Sequence, residues 1–304
     1  MPPKFKAYLQ LARISNLPTV FSNVLVGAAL AVGPTSLDWA LVFAAIFAVS
    51  LFYIAGMALN DLLDRSIDRV ERPQRPIPSG TLSVGDVRSF TAICFSGGML
   101  ILILWVPWAI LPGLALIASI TLYNYFHKRW SGSLVFMGLC RALVYIAGAA
   151  AVTATSNEYL NETENYEVIF TIGWALMNCA ALLAIYIIAL TLVAQKEVSG
   201  GLGFRRWLAA TLVLIPLPAL WFMPTPDWRW TLPAMLILNL WLIRSARFIW
   251  QSPPRVVPAV LGWLAGISLL DAFFLTLTPF PWLSLVALAC FAVTVWGHRR
   301  IAGT

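Results

Sequence analysis

The chain has 304 residues, of which 60% are hydrophobic and only 11% charged, where a water-soluble domain is about half apolar and about a quarter charged. Together with a mean hydropathy of +0.83, this excludes an ordinary soluble enzyme and indicates a chain whose surface faces lipid. The net charge of +7 calls for no nucleic-acid partner, because basic flanks beside anionic membrane lipid account for it.

Apolar runs recur from end to end with no soluble stretch long enough to fold alone, so residues 1–304 are read as one integral-membrane domain. The polar segment Pro2–Ser15 leads into an ordinary span without a small-residue cleavage site, and no removable signal peptide is expected. The four cysteines lie within apolar runs without C-x-x-C spacing, so neither a disulfide nor a zinc site is expected. His127 and His298 stand at the edges of apolar runs and offer no His-based metal site.

A spanning helix needs about 20 apolar residues. Such runs lie near 17–33, 39–59, 88–106, 109–126, 133–153, 169–193, 207–223, 231–250, 257–275 and 280–297. They predict an all-α polytopic bundle of nine or ten spans around a central cavity open to the cytoplasmic side. Nine would result if the last two runs, separated only by Thr278-Pro279-Phe280-Pro281, form one re-entrant feature. A cytoplasmic N-terminus puts 18 of the 20 Lys and Arg residues on the cytoplasmic side, as the positive-inside rule requires. The expected setting is therefore a cytoplasmic (inner) membrane with the N-terminus inside. The internal loops 60–87 and 194–206 are the most polar, and an active site is expected where they face each other.

The first of these loops carries the chemistry. Asp61, Asp64 and Asp68 stand at i, i+3 and i+7, a spacing that on one helix stacks three carboxylates on one face, with Asn60 four residues before Asp64. Unpaired, such carboxylates repel one another, and a divalent cation relieves the conflict. Oxygen-only ligands suit Mg²⁺, which takes one or two carboxylates and completes its shell with water and phosphate oxygens. Asn60, Asp61, Asp64 and Asp68 are the candidate metal ligands and should face the cavity. Arg65, Arg69, Arg72 and Arg75 interleave with them, an alternation suited to a diphosphate held between metal and guanidinium forks. Pro73, Pro76, Pro78 and Gly80 should hold the following loop in an extended path. The competing reading is a solvated helix with i,i+4 ion pairs.

Asn60-Asp61-Leu62-Leu63-Asp64-Arg65-Ser66-Ile67-Asp68, followed by Arg75-Pro76-Ile77-Pro78-Ser79-Gly80, closely resembles the first aspartate motif of the UbiA superfamily of membrane prenyltransferases, and it falls after the second span as it does there. Arg13 with Leu17-Pro18 looks like that family's N-terminal Arg segment, and Tyr123-x-x-x-x-Lys128-Arg129 is similar to its Tyr/Lys-Arg element. The resemblance implies a Mg²⁺-dependent transfer from a prenyl diphosphate to a lipophilic, often aromatic, acceptor inside a cavity between helices. It implies catalytic roles for Asp61, Asp64 and Asp68 and diphosphate contacts for Arg13, Arg75, Tyr123 and Lys128.

The chain departs from the family pattern in the second polar loop. No aspartate occurs between Asp86 and Asp227, so the family's second aspartate motif is missing. Glu197 is the loop's only carboxylate and stands in as a candidate catalytic ligand; Lys196 beside it is a candidate diphosphate contact. The Thr191-x-x-Ala194-x-x-Glu197 form is similar to the divergent EboC-like branch, associated with export of secondary-metabolite precursors. Two readings therefore stand: a prenyltransferase, and a non-catalytic protein that binds or translocates a prenylated or secondary-metabolite precursor. A CDP-alcohol phosphotransferase is disfavoured, because its glycine-and-arginine-interrupted aspartate pattern is absent.

Two ionisable residues lie inside spans, where they normally face the bundle interior, pair, or mark a substrate path. Arg141 is about 12 Å and Asp271 about 22 Å along their spans at 1.5 Å per residue. Arg141 either contacts an anionic substrate group in the cavity or has a structural role; Asp271 is expected to find a structural partner. Gly262-x-x-x-Gly266 reads as a close helix contact.

Overall fold

A backbone crossing lipid has no water to bond its N–H and C=O groups, so each apolar run closes its own bonds as a helix. The computed structural model describes residues 3–32, 36–163, 166–195, 203–222 and 226–300, with backbone alone for 3, 153–163, 166–169, 204–205, 209–210 and 222. In chain order the helices are α1 (Pro3–Leu11), α2 (Leu17–Ala31), α3 (Trp39–Leu63), α4 (Arg65–Glu71), α5 (Val84–Trp105), α6 (Ile110–Phe126) and α7 (Leu134–Thr163). They continue with α8 (Tyr166–Ala194), α9 (Leu208–Leu214), α10 (Pro216–Phe222), α11 (Trp228–Ala246), α12 (Val256–Leu275) and α13 (Ser284–His298). Polar caps set several of the starts. Asp38 accepts from the Ala40 and Leu41 amides ahead of α3, and Ser83 with Asp86 forms a reciprocal capping box at α5.

Among the described residues, eight helices are long and apolar enough to cross a membrane, and the protein is a multi-pass membrane protein. Two of the ten expected runs fall outside that set. The 207–223 run is split into two seven-residue helices at Ile215-Pro216, where proline supplies no N–H to continue the ladder. In α11 the apolar run is diluted by Arg229, Asn239, Arg244 and three tryptophans. The last two runs are separate helices, α12 and α13, rather than one re-entrant feature.

The helices close into a ring because the first span meets the last ones: α2 packs against α3, α7, α8, α12 and α13. α2 and α12 are the inner pair, with most of their residues buried, whereas α5 and α13 leave most of theirs uncovered and turn them to lipid. Small residues permit the closest crossing. A Cβ on Gly27 of α2 would lie 2.0 Å from the Tyr145 carbonyl oxygen of α7, and one on Gly148 would lie 2.3 Å from that of Val24. Gly262 and Gly266 likewise let α12 approach Ser245 of α11 and Tyr186 of α8. The expected partner of Asp271 is a set of neutral donors. Its carboxylate accepts from Ser22 Oγ at 2.5 Å, Asn23 Nδ2 at 2.8 Å and Tyr145 Oη at 2.5 Å, tying α12 to α2 and α7.

Candidate active site at the mouth of the cavity

The three aspartates do not share one continuous helix. α3 ends at Leu63 and α4 begins at Arg65, with Asp64 at φ −84°, ψ 0° between them. The expectation of three stacked carboxylates is corrected accordingly: Asp61 closes the last turn of α3, Asp64 sits on the break and Asp68 lies on α4. All three are nonetheless buried, at 6%, 8% and 4% exposure, which discards the solvated-helix reading.

The loop after α4 turns back over these carboxylates. It is a run of turns rather than the extended path expected, with the amides of Ser79, Gly80 and Leu82 bonding the carbonyls of Arg75, Ile77 and Pro76. Gly80, at φ +75°, takes the left-handed conformation that glycine adopts without Cβ strain. Ile77 and Leu82 anchor the turn by packing with Leu11, Ala58, Leu62 and Val87. Burying those apolar groups swings Arg75 inward, where Nη1 lies 3.1 Å from Asp61 Oδ1 and 2.7 Å from Asp68 Oδ2. The neighbouring arginines do otherwise. Arg65 bonds the Leu62 carbonyl at 3.0 Å, and Arg69 is exposed.

Arg13 arrives from the N-terminal segment, its Nη2 3.8 Å from Asp61 Oδ1. Its backbone is left-handed, at φ 44°, ψ 50°. A side-chain-bearing residue holds such a conformation at a cost of about 1–3 kcal/mol, and residues of this kind cluster at functional sites. The third partner is one that sequence reasoning passed over. His127 Nε2 lies 3.2 Å from Asp64 Oδ2, and Nδ1 lies 3.0 Å from the Asn124 carbonyl oxygen. Burial works to raise the Asp64 carboxyl, but the His127 bond and the charges of His127, Lys128 and Arg75 outweigh it and hold it below its ordinary value. Asp64 is thus ionised at neutral pH, and its contribution to stability fades only as pH falls through that lowered value. Asn60 donates to Asn124 Oδ1 at 3.0 Å and leans on Asp64 at 3.4 Å.

Beside this cluster is a cavity of about 120 Å³. Arg13, Asn60, Tyr123 and Asn124 line it, together with Arg141, Tyr53 and apolar side chains such as Val49, Leu116 and Met137. Asn60 faces it as expected; Asp61, Asp64 and Asp68 are not among its lining residues and occupy the adjoining rim. Tyr123 stacks on His127 with ring centroids 5.3 Å apart. Lys128 is exposed next to the rim. Lys196 and Glu197 lie outside the described residues. Asn124, Asn23 and Tyr53 were missed as well. The signal was present for the two amides, because an Asn inside an apolar run is costly unless it is bonded.

The donors at the rim are all oxygen, the set that suits Mg²⁺. Among the described residues no three His, Cys, Asp or Glu side chains are gathered as a metal site, since Arg75 stands between Asp61 and Asp68 while Asp64 turns to His127. The carboxylates still demand positive charge between them, and Arg75 supplies it. By donor type and charge the site fits a divalent cation.

Fold and site together define a multi-pass helical membrane protein with a carboxylate-rich, cation-flanked rim on an intramembrane cavity. The UbiA prenyltransferase family matches residues 20–261, and the chain belongs to that family. It is similar to the digeranylgeranylglyceryl phosphate synthase of Sulfolobus acidocaldarius, 35% identical over 121 residues, which is 40% of this chain and 42% of that one. The corresponding synthase of Methanopyrus kandleri is 39% identical over 94 residues, 31% of this chain and 34% of its own. The matched stretch thus spans well under half the length of these relatives. Among solved structures, the apo form of a UbiA homologue from Aeropyrum pernix shares the fold with a TM-score of 0.64 at 16% identity, covering 86% of this chain and 96% of that one. A UbiA homologue from Archaeoglobus fulgidus bound to GPP and Mg²⁺ shares it at 0.62 and 15%, covering 94% and 99%.

Proposed function

We infer that this protein is a Mg²⁺-dependent prenyltransferase of the membrane, transferring a prenyl group from a prenyl diphosphate to a lipophilic acceptor. The observation carrying this reading is the set of three buried carboxylates, each matched by Arg75, Arg13 or His127, on the rim of a largely apolar cavity. The bundle acts as one domain with its N-terminus and rim on the cytoplasmic side of an inner membrane, where a water-soluble diphosphate head arrives. The relatives' name places a glyceryl phosphate in the product of those proteins; an aromatic ring is the other acceptor this reading admits.

Asn60, Asp61, Asp64 and Asp68 would hold Mg²⁺, which supplies charge neutralisation for the departing diphosphate. Arg13, Arg75 and Lys128 orient the diphosphate oxygens. The allylic C–O bond breaks with its electron pair leaving on the diphosphate, and the acceptor's nucleophilic atom bonds the freed carbon and then gives up its proton. The faces of Tyr53 and Tyr123 on the cavity suit an allylic cation. Lys196 and Glu197 would supply a further diphosphate contact and a carboxylate in place of the missing aspartates.

A second reading, binding or translocation without chemistry, draws on the absence of aspartate from residues 87–226. Mass spectrometry of lipids after incubating the protein with Mg²⁺, a panel of prenyl diphosphates and both acceptor classes decides between them. A prenylated product establishes the transferase. Diphosphate binding without product across the panel overturns it in favour of the second reading.

A further inference from the structure

Arg141 lies about 10 Å into α7 from its start at Leu134, at 1.5 Å per residue. Its guanidinium is 5.7 Å from the ring centroid of Tyr53. Tyr53 is seven residues, about 10 Å along the helix, from Asn60 at the rim, so the cavity has a second basic pole well below the first.

The group is held rigidly. Nη1 donates to Thr19 Oγ1 at 3.1 Å and to Asn23 Oδ1 at 2.9 Å. Asn23 turns its amide nitrogen to Asp271, 2.8 Å from Oδ2. One side chain therefore links Arg141 to Asp271, and the two do not touch directly. Arg141 lines the cavity, and a guanidinium carries five N–H donors. Among the described residues the two hydrogen bonds to Thr19 and Asn23 are those it makes, both through Nη1. The Nε and Nη2 donors are left for an occupant of the cavity.

We propose that Arg141 is a specificity-determining residue that receives a terminal anionic oxygen group of the acceptor at the deep end of the cavity, with Asn23 and Asp271 as the positioning residues that aim it. This deepens the prenyltransferase reading by assigning the acceptor's acid group to Arg141 and the donor's diphosphate to the rim. A phosphate-headed lipid and a carboxylated aromatic ring both offer that group. A neutral alcohol offers Nε and Nη2 no charge and leaves a buried cation facing apolar walls.

The test is binding by the purified full-length protein with the rim first saturated by geranyl thiolodiphosphate and Mg²⁺. Dodecylglycerol phosphate, 4-dodecyloxybenzoate and neutral dodecylglycerol are then titrated. A charge-assisted pair is worth enough that one anionic probe should bind about tenfold or more tightly than the neutral one, and the tighter of the two identifies the source. Arg141→Met should shrink that preference to about twofold while leaving thiolodiphosphate affinity within about twofold. Arg141→Lys keeps the cation needed for packing but not the fork, so an intermediate preference is expected and serves if the Met variant does not fold. Asn23→Ala should lower the preference with Arg141 still present. No preference in the unmutated protein, or a preference that survives both Arg141 variants, overturns the proposal. So does an equal loss of thiolodiphosphate affinity, which would put Arg141 in the donor site. Failure of thiolodiphosphate to bind the unmutated protein counts against the transferase reading alone, since head-group preference is measurable without it.

Discussion

Arg75 Nη1 sits 2.7 Å from Asp68 Oδ2, tying the folded-back proline-rich loop to the helix that precedes it. The same nitrogen reaches Asp61, so one guanidinium spans two carboxylates that would otherwise repel. Arg75→Ala should lower stability by about 1–3 kcal/mol, because it leaves buried acceptors unpaired, and should weaken prenyl diphosphate binding. Arg75→Lys restores the charge but reaches both partners poorly. Thermal unfolding in detergent with a diphosphate titration checks this, and an unchanged profile for Arg75→Ala would count against the bridge.

Asp64→Asn and Asp68→Asn keep shape and remove charge. Both should abolish measurable Mg²⁺-dependent binding of a prenyl diphosphate while the protein still inserts in the membrane. Equilibrium binding with and without EDTA reads the effect. Unchanged affinity in both variants would remove these carboxylates from the metal set.

Glu197→Gln separates the two functional readings. In a transferase whose Glu197 stands in for the missing aspartates, kcat should fall far more than substrate affinity. Steady-state turnover equal to that of the unmutated protein would dismiss the substituted second site and favour binding or translocation.

The α2–α7 crossing should tolerate no side chain. A Cβ at Gly27 meets the Tyr145 carbonyl oxygen at 2.0 Å, and overpacking of this kind costs about 1–3 kcal/mol. Gly27→Ala should therefore lower the unfolding temperature, whereas Gly173→Ala, with nothing within 4 Å of the added carbon, should leave it in place. Equal melting of the two variants would show that the crossing relaxes freely.

The sequence by itself determined the helical membrane architecture and the position of the rim. Lipid leaves a backbone little choice but helix, and three aspartates at the mouth of a span are too costly to be incidental, so Asp61, Asp64 and Asp68 were legible as a set. Arg13, Arg75 and Tyr123 were legible through family likeness, but what each touches was not. Which arginine turns inward depended on Ile77 and Leu82 finding apolar neighbours, and the break at Asp64 came from a helix that ends where its apolar surface does. The pairings that define the site join residues far apart in the chain, 63 positions for His127 with Asp64 and 248 for Asn23 with Asp271. No local periodicity encodes such contacts. They are decided when the ring closes and each polar side chain stranded among apolar ones takes the partner that packing brings within reach.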